Sequence, residues 1–243
     1  MTRPVLLVIA HGSRDPRHAA TVHALVRRSG GVRPGVRVET AFLDFNVPSV
    51  PAVLERLAAE GVRDVVALPL LLTRAFHAKA DIPAVLREAP SCLRVRQAPV
   101  LGPSPLLVAA LERRLYEAGL TPADKRSTGV VLASAGSSDP EAIAVIAEMA
   151  RELRHTGWCA VRPAFASASL PRTQDAVRAL RQDGVRRVAV APYVIAPGRL
   201  PDRIAEGAAG ADVLGDVLGA APELARLLLA RYDEAGVALS AAA

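Results

Sequence analysis

Three short segments hold side chains that could handle a divalent cation and a proton. The first is His11-Gly12-Ser13-Arg14-Asp15-Pro16, the second Asp44-Phe45-Asn46, and the third runs TRAFHAKADIP from Thr73 to Pro83, with His77 set among Arg74, Lys79 and Asp81. Two imidazoles and a carboxylate suit a borderline ion such as Fe2+, Co2+, Ni2+ or Zn2+. Neutral imidazoles can also take up protons near neutral pH, and Asp44 could serve as a base instead of a ligand. Each segment also has a plainer reading. Ser13 or Asp15 can cap a helix that starts at Pro16. Asp44 can make an Asx turn, and Asp81 can cap the helix after it. Ser13 and the backbone N–H groups beside it could hold an anion, and Arg14 could pair with a carboxylate. Capping does not explain His11. His18, His23 and His155 read as surface histidines.

For His11, Asp44 and His77 to act together, the chain must bring them to one edge. Val5–Ala10 is an unbroken apolar run, as expected of a strand buried on both faces. A helical pattern over Arg17–Ser29 follows. Next come a strand over Val36–Leu43, a helix over Pro51–Glu60 and a third strand over Val65–Leu72. A helix over Asp81–Glu88, a strand over Leu93–Ala98 and a helix over Leu106–Ala118 complete the unit. This alternation predicts an α/β fold, a small parallel sheet flanked by helices. Ligands of such sheets sit beyond the carboxyl ends of the strands. The three segments follow strands one, two and three.

The unit occurs twice. VLLVIAHGSRDP at 5–16 returns as GVVLASAGSSDP at 129–140, and VETAFLDFNVPSV at 38–50 as VRPAFASASLPRT at 161–173. DVVALPLLL at 64–72 faces RVAVAPYVI at 187–195, and VLGPSPLLVAALERRLYEAG at 100–119 faces VLGAAPELARLLLARYDEAG at 217–236. The chain therefore reads as two tandem similar lobes, 1–120 and 121–243, hinged near TPADKRST. The repeat is an internal control. Gly12/Gly136, Pro16/Pro140 and Pro69/Pro192 persist, whereas His11 faces Ala135, Asp44 faces Ser167 and His77 faces about Leu200. The first lobe is expected to carry the site and the second to be scaffold and cleft wall.

Composition bounds the remaining classes. Of the 243 residues, 51% are hydrophobic and only 3% aromatic, so the core must be Val, Leu, Ala and Ile. The net charge is +6, but its arginines are scattered along helices without aromatic interleaving, unlike a nucleic-acid surface. No apolar stretch is long enough to cross a membrane, and the start lacks the form of a signal peptide. Cys92 and Cys159 have no CxxC spacing and read as buried or free thiols of a reducing, cytoplasmic compartment. No GxxxxGK[ST] or GxGxxG marks a nucleotide site.

HGSRDP after the first strand, AFLDFN after the second and LPLLLTRAFHAKADIP after the third resemble the class II chelatases. The closest group is the sirohydrochlorin cobalto- and ferrochelatases, and the likeness runs through the degenerate second half. It implies that His11 and His77 handle the metal, and that Asp44 stands where a glutamate is usual. The implied substrates are a divalent metal (Fe2+, Co2+ or Ni2+) and a polycarboxylate tetrapyrrole held near Ser13, Arg14, Arg74 and Lys79. No organic cofactor is implied, and the expected state is a monomer with an internal pseudo-dimer, without nucleic-acid or membrane partners. The chain ends in ALSAAA, without the His-rich tail or CxxC cluster of some long cobalt enzymes, which inclines the reading toward iron and siroheme. The alternatives are cobalt insertion for cobalamin and a metal or tetrapyrrole carrier without turnover.

Overall fold

The computed structural model describes residues 3–240; Met1, Thr2 and the last three residues of the ALSAAA end lie outside the described residues. The first repeat runs β1 Val5–Ala10, α1 Pro16–Val32, β2 Val38–Phe42, α2 Val50–Ala59, β3 Asp64–Pro69, α3 Ile82–Arg87, β4 Arg94–Gln97 and α4 Pro105–Glu117. The second runs β5 Thr128–Ser134, α5 Pro140–His155, β6 Ala160–Phe165, α6 Thr173–Gln182, β7 Arg187–Tyr193, α7 Arg199–Gly207, β8 Val213–Leu214 and α8 Pro222–Ser240. Two four-stranded sheets result, ordered β2-β1-β3-β4 and β6-β5-β7-β8, with every pairing parallel. The duplicated α/β architecture read from the sequence is the one observed.

Local chemistry starts and stops these elements. Asp15 accepts the Arg17 backbone N–H, and Pro16 opens α1 where a missing N–H costs nothing. Asp139 and Pro140 repeat the device at α5. All six residues of β1 are buried. Val5, Leu7 and Ile9 join Val53, Leu54, Leu57 and Ile82 in one cluster, a period of two that turns alternate side chains to one face. The opposite face is covered by α1 and α8, which pack on β2 and on β3 and β4 respectively.

The compact units do not coincide with the sequence repeats. One unit comprises 1–102 with 220–243, the other 103–219. The boundary expected near residue 120 follows the repeat, but the last helix of each repeat completes the sheet of the other. In the first unit α8 is fixed by Tyr232 Oη donating to the Pro4 carbonyl at 2.8 Å and Arg231 Nε donating to Val100 O at 3.0 Å. In the second, Glu112 of α4 accepts from Thr156 Oγ1 at 2.6 Å and Trp158 Nε1 at 3.1 Å, and Arg114 donates to Leu218 O at 2.8 Å. The matched VLG segments before each helix hide this exchange, because either helix carries the same apolar stripe.

Two further details differ from the sequence reading. The third strand ends at Pro69, short of Leu72, and a π-helical turn over His77–Asp81 precedes α3. Cys92 is an exposed free thiol and Cys159 a half-buried one. Among the described residues no helix is long and apolar enough to cross a membrane.

Candidate metal centre

In the order β2-β1-β3-β4 the chain leaves β1 toward β2 and returns past β1 to β3. The β1 and β3 ends therefore flank a switch point where the following loops part and leave a crevice. Leu70 N donates to Ile9 O at 2.8 Å and Leu43 N to Ala10 O at 3.0 Å, so the three strands end nearly level. His11 leaves β1 there and His77 stands on the π turn beyond β3. Their rings meet edge to face, with centroids 4.4 Å apart and planes at 82°. Both line a cavity of about 520 Å³ with Asp44, Asp81 and Glu88.

The loop that carries His11 is locked to the one that carries Asp44. Gly12 sits at φ +97°, and a Cβ there would lie 1.9 Å from the Asp44 carbonyl oxygen. Asp44 N donates to His11 O at 2.9 Å, and Ser13 N donates to Asn46 Oδ1 at 2.8 Å. Asp44 Oδ1 accepts the N–H of the next residue, Phe45, at 2.8 Å, while Asn46 N donates to the Asp44 backbone carbonyl at 2.7 Å, so the Asx turn suggested by the sequence is not formed. Phe45 takes a positive φ of 60°, which carries its half-exposed ring onto His11 at 6.1 Å, stacked at 20°, with the Arg14 guanidinium 5.3 Å from that ring. Phe76, 67% exposed, lies 6.1 Å from His77. These are the two largest apolar side chains left open beside the imidazoles.

On His77, Nδ1 meets Asp81 Oδ2 at 2.5 Å. The π turn between them is held by Ile82 N donating to His77 O and by Gln97 Nε2 donating to Ala78 O at 3.1 Å. Asp81 is not a helix cap: its side chain makes no capping bond to α3. Its spacing of four residues from His77 was the available sequence signal. Glu88 had none, since only the fold of α3 turns it to the cavity.

Of the seven site residues read from the sequence, His11, Asp44 and His77 line this cavity. Ser13, Arg14, Arg74 and Lys79 do not. Ser13 Oγ accepts the Asp15 N–H at 3.1 Å, a turn role, and the three cations are exposed. Among the described residues no three His, Cys, Asp or Glu side chains converge closely enough to hold a metal by themselves. The histidine pair is the assembled element. His18, read as a surface residue, is half-buried, and its Nδ1 is enclosed without a hydrogen-bond partner among the described residues. Burial first, and the positive charge His11 would carry second, hold its pKa below the ordinary imidazole value.

The second unit keeps the frame and changes the chemistry. Gly136 sits at φ +93°, its notional Cβ 1.9 Å from the Ser167 carbonyl, and Ala168 repeats the positive φ of Phe45 at 58°. A cavity of about 370 Å³ opens there, lined by Phe165, Arg172, Gln174 and Arg203 among others. Ile82 and Ile204 are both fully buried, and they correspond, since Asp81, Ala84 and Val85 line the first cavity as Arg203, Glu206 and Gly207 line the second. Aligning them puts Arg203 at the Asp81 position, and the His77 position falls at Arg199–Leu200, in the first turn of α7. The glycine turn and its positive-φ partner are kept while the imidazoles and carboxylate are not, and the π turn of the first unit is replaced by a regular helical start at Arg199.

Known proteins share both the sequence and the frame. The sirohydrochlorin cobaltochelatase of Priestia megaterium is 31% identical over 209 residues, covering 83% of this chain and 67% of that protein. The sirohydrochlorin ferrochelatase of the same organism is 28% identical over 208 residues, covering 83% and 76%. SirB from Bacillus subtilis with Fe3+ superposes with a TM-score of 0.83 over 96% of both chains at 24% identity, a likeness of fold. Residues 5–118 and 129–235 each match CbiX, so the repeat that holds the histidine pair and the repeat that lacks it are copies of one module, and the chain belongs to the CbiX family.

Proposed function

We propose that this protein is a sirohydrochlorin chelatase that inserts a divalent metal into a polycarboxylate tetrapyrrole. The observation that carries the reading is the edge-to-face pair of His11 and His77, 4.4 Å apart on the wall of one cavity. Relatives that act on sirohydrochlorin supply the substrate class, and they divide between cobalt and iron.

Insertion exchanges two pyrrolic N–H protons for one M2+. The two imidazoles present the ion through ring nitrogens, and Asp44, on the same wall, is the proton acceptor or a third ligand. The exposed faces of Phe45 and Phe76 offer apolar contact to a flat macrocycle beside the imidazoles. Arg14, Arg74 and Lys79 provide positive charge for its peripheral carboxylates. Binding energy gained at that periphery can support bending of the ring toward the metal. The protein acts as a monomer in the cytoplasm without nucleic-acid or membrane partners, its first repeat catalytic and its second the scaffold. It uses no organic cofactor.

The test is anaerobic insertion of Fe2+, Co2+ and Ni2+ into sirohydrochlorin by the wild type, His11→Ala and His77→Ala, with circular dichroism as folding control. Each variant is expected to lose most of the insertion rate and keep tetrapyrrole affinity. Variants that insert metal at the wild-type rate, above the uncatalysed background, overturn the assignment. A single turnover with retained product would favour a carrier instead.

A further inference from the structure

Asp81 stands four residues beyond His77 at the C-terminal end of the π turn, where the sequence suggests a helix cap. It caps nothing; its carboxylate reaches back to His77 Nδ1 at 2.5 Å. A neutral imidazole carries one N–H. With a carboxylate against Nδ1, that proton sits on Nδ1, and the lone pair is left on Nε2. The contact also fixes the ring about its χ angles, because the π turn that joins the two residues is pinned by Ile82 N to His77 O and by Gln97 Nε2 to Ala78 O.

We propose that Asp81 is a positioning residue for metal delivery: it holds the tautomer and orientation of His77 so that Nε2 receives the ion, while Asp81 itself stays off the metal. The proposal rests on the reading of His77 as a metal-handling residue. A further observation favours it over a structural ion pair. The two side chains are 41% and 42% exposed, and a pair so open to water adds little stability. Carboxylates that orient metal-bound histidines commonly contribute about 10–100-fold to metal affinity or activity.

The test uses the full chain and Co2+ as probe, read by its visible absorption bands, beside insertion kinetics and melting temperature. Asp81→Ala is expected to weaken Co2+ binding about 10–100-fold and lower the insertion rate, with the melting temperature close to wild type. Asp81→Asn keeps an acceptor for Nδ1–H and should fall between the two, with wild-type band positions. If Asp81→Ala binds Co2+ as the wild type does while His77→Ala does not, the positioning role is overturned and the metal site stands. If His77→Ala also binds as the wild type, both fail together. An Asn variant as weak as Ala, with shifted bands, would make Asp81 a ligand and likewise overturn the proposal.

Discussion

The Gly12 α-carbon lies against the Asp44 carbonyl so closely that a Cβ would stand 1.9 Å from that oxygen, and Gly136 repeats the approach to Ser167 at 1.9 Å. The contact is between backbones, so no side-chain rotation relieves it. Positive φ at both glycines adds about 1–3 kcal/mol for any residue with a Cβ.

Gly12→Ala and Gly136→Ala should therefore destabilise the fold to a similar extent, seen as comparable drops in melting temperature. Their effects on chemistry should differ. Gly12→Ala separates the His11 loop from the Asp44 loop and should abolish most insertion, whereas Gly136→Ala should leave the folded fraction with near-normal specific activity. Equal activity losses per folded molecule would show that the second turn also shapes the site.

Asp44 lines the cavity, yet one of its oxygens already accepts the Phe45 N–H at 2.8 Å. If the carboxylate accepts a proton or touches the metal, Asp44→Asn should lower kcat about tenfold or more with the fold intact, and Asp44→Glu should retain activity, since general-base contributions are typically 10²–10⁴-fold. A fully active Asn variant would leave Asp44 as a turn residue only.

In the second unit Arg199 stands beside the position that His77 takes in the first, and Ser137 where the first carries Ser13. Arg199→Ala and Ser137→Ala should reduce the insertion rate less than His11→Ala or His77→Ala. Steady-state rates of the four variants, normalised to folded protein, decide this.

His18 titrates below the ordinary imidazole value, first because it is buried and then because of His11; Asp15 opposes both weakly. The folded state therefore binds its proton less readily than the unfolded chain. Stability from neutral His18 is fully present above about pH 6.5 and is lost as pH falls from there toward the depressed folded value. His18→Gln should flatten the fall in melting temperature over that acid window. An unchanged slope would place the acid sensitivity elsewhere.

Much was legible in the sequence because it is local. The apolar run Val5–Ala10, the Asp-Pro starts at 15–16 and 139–140, and glycines at 12 and 136 specify a strand, a turn and a helix twice over, whatever surrounds them. The loss of His11, Asp44 and His77 from the second copy marked them as residues the fold does not need. What the tertiary structure decided depends on neighbours distant in the chain. α4 and α8 share one apolar stripe, so the sequence could not say which sheet each would cover; ion pairs and hydrogen bonds such as Tyr232 to Pro4 and Glu112 to Trp158 settle it. The early stop of β3 and the π turn bring His77 to 4.4 Å from His11 and turn Asp81 from a cap into its partner. A change of one residue in strand length or helical phase rotates a side chain by about 100° or reverses its face, which is why pattern found the histidines and only packing fixed what each of them touches.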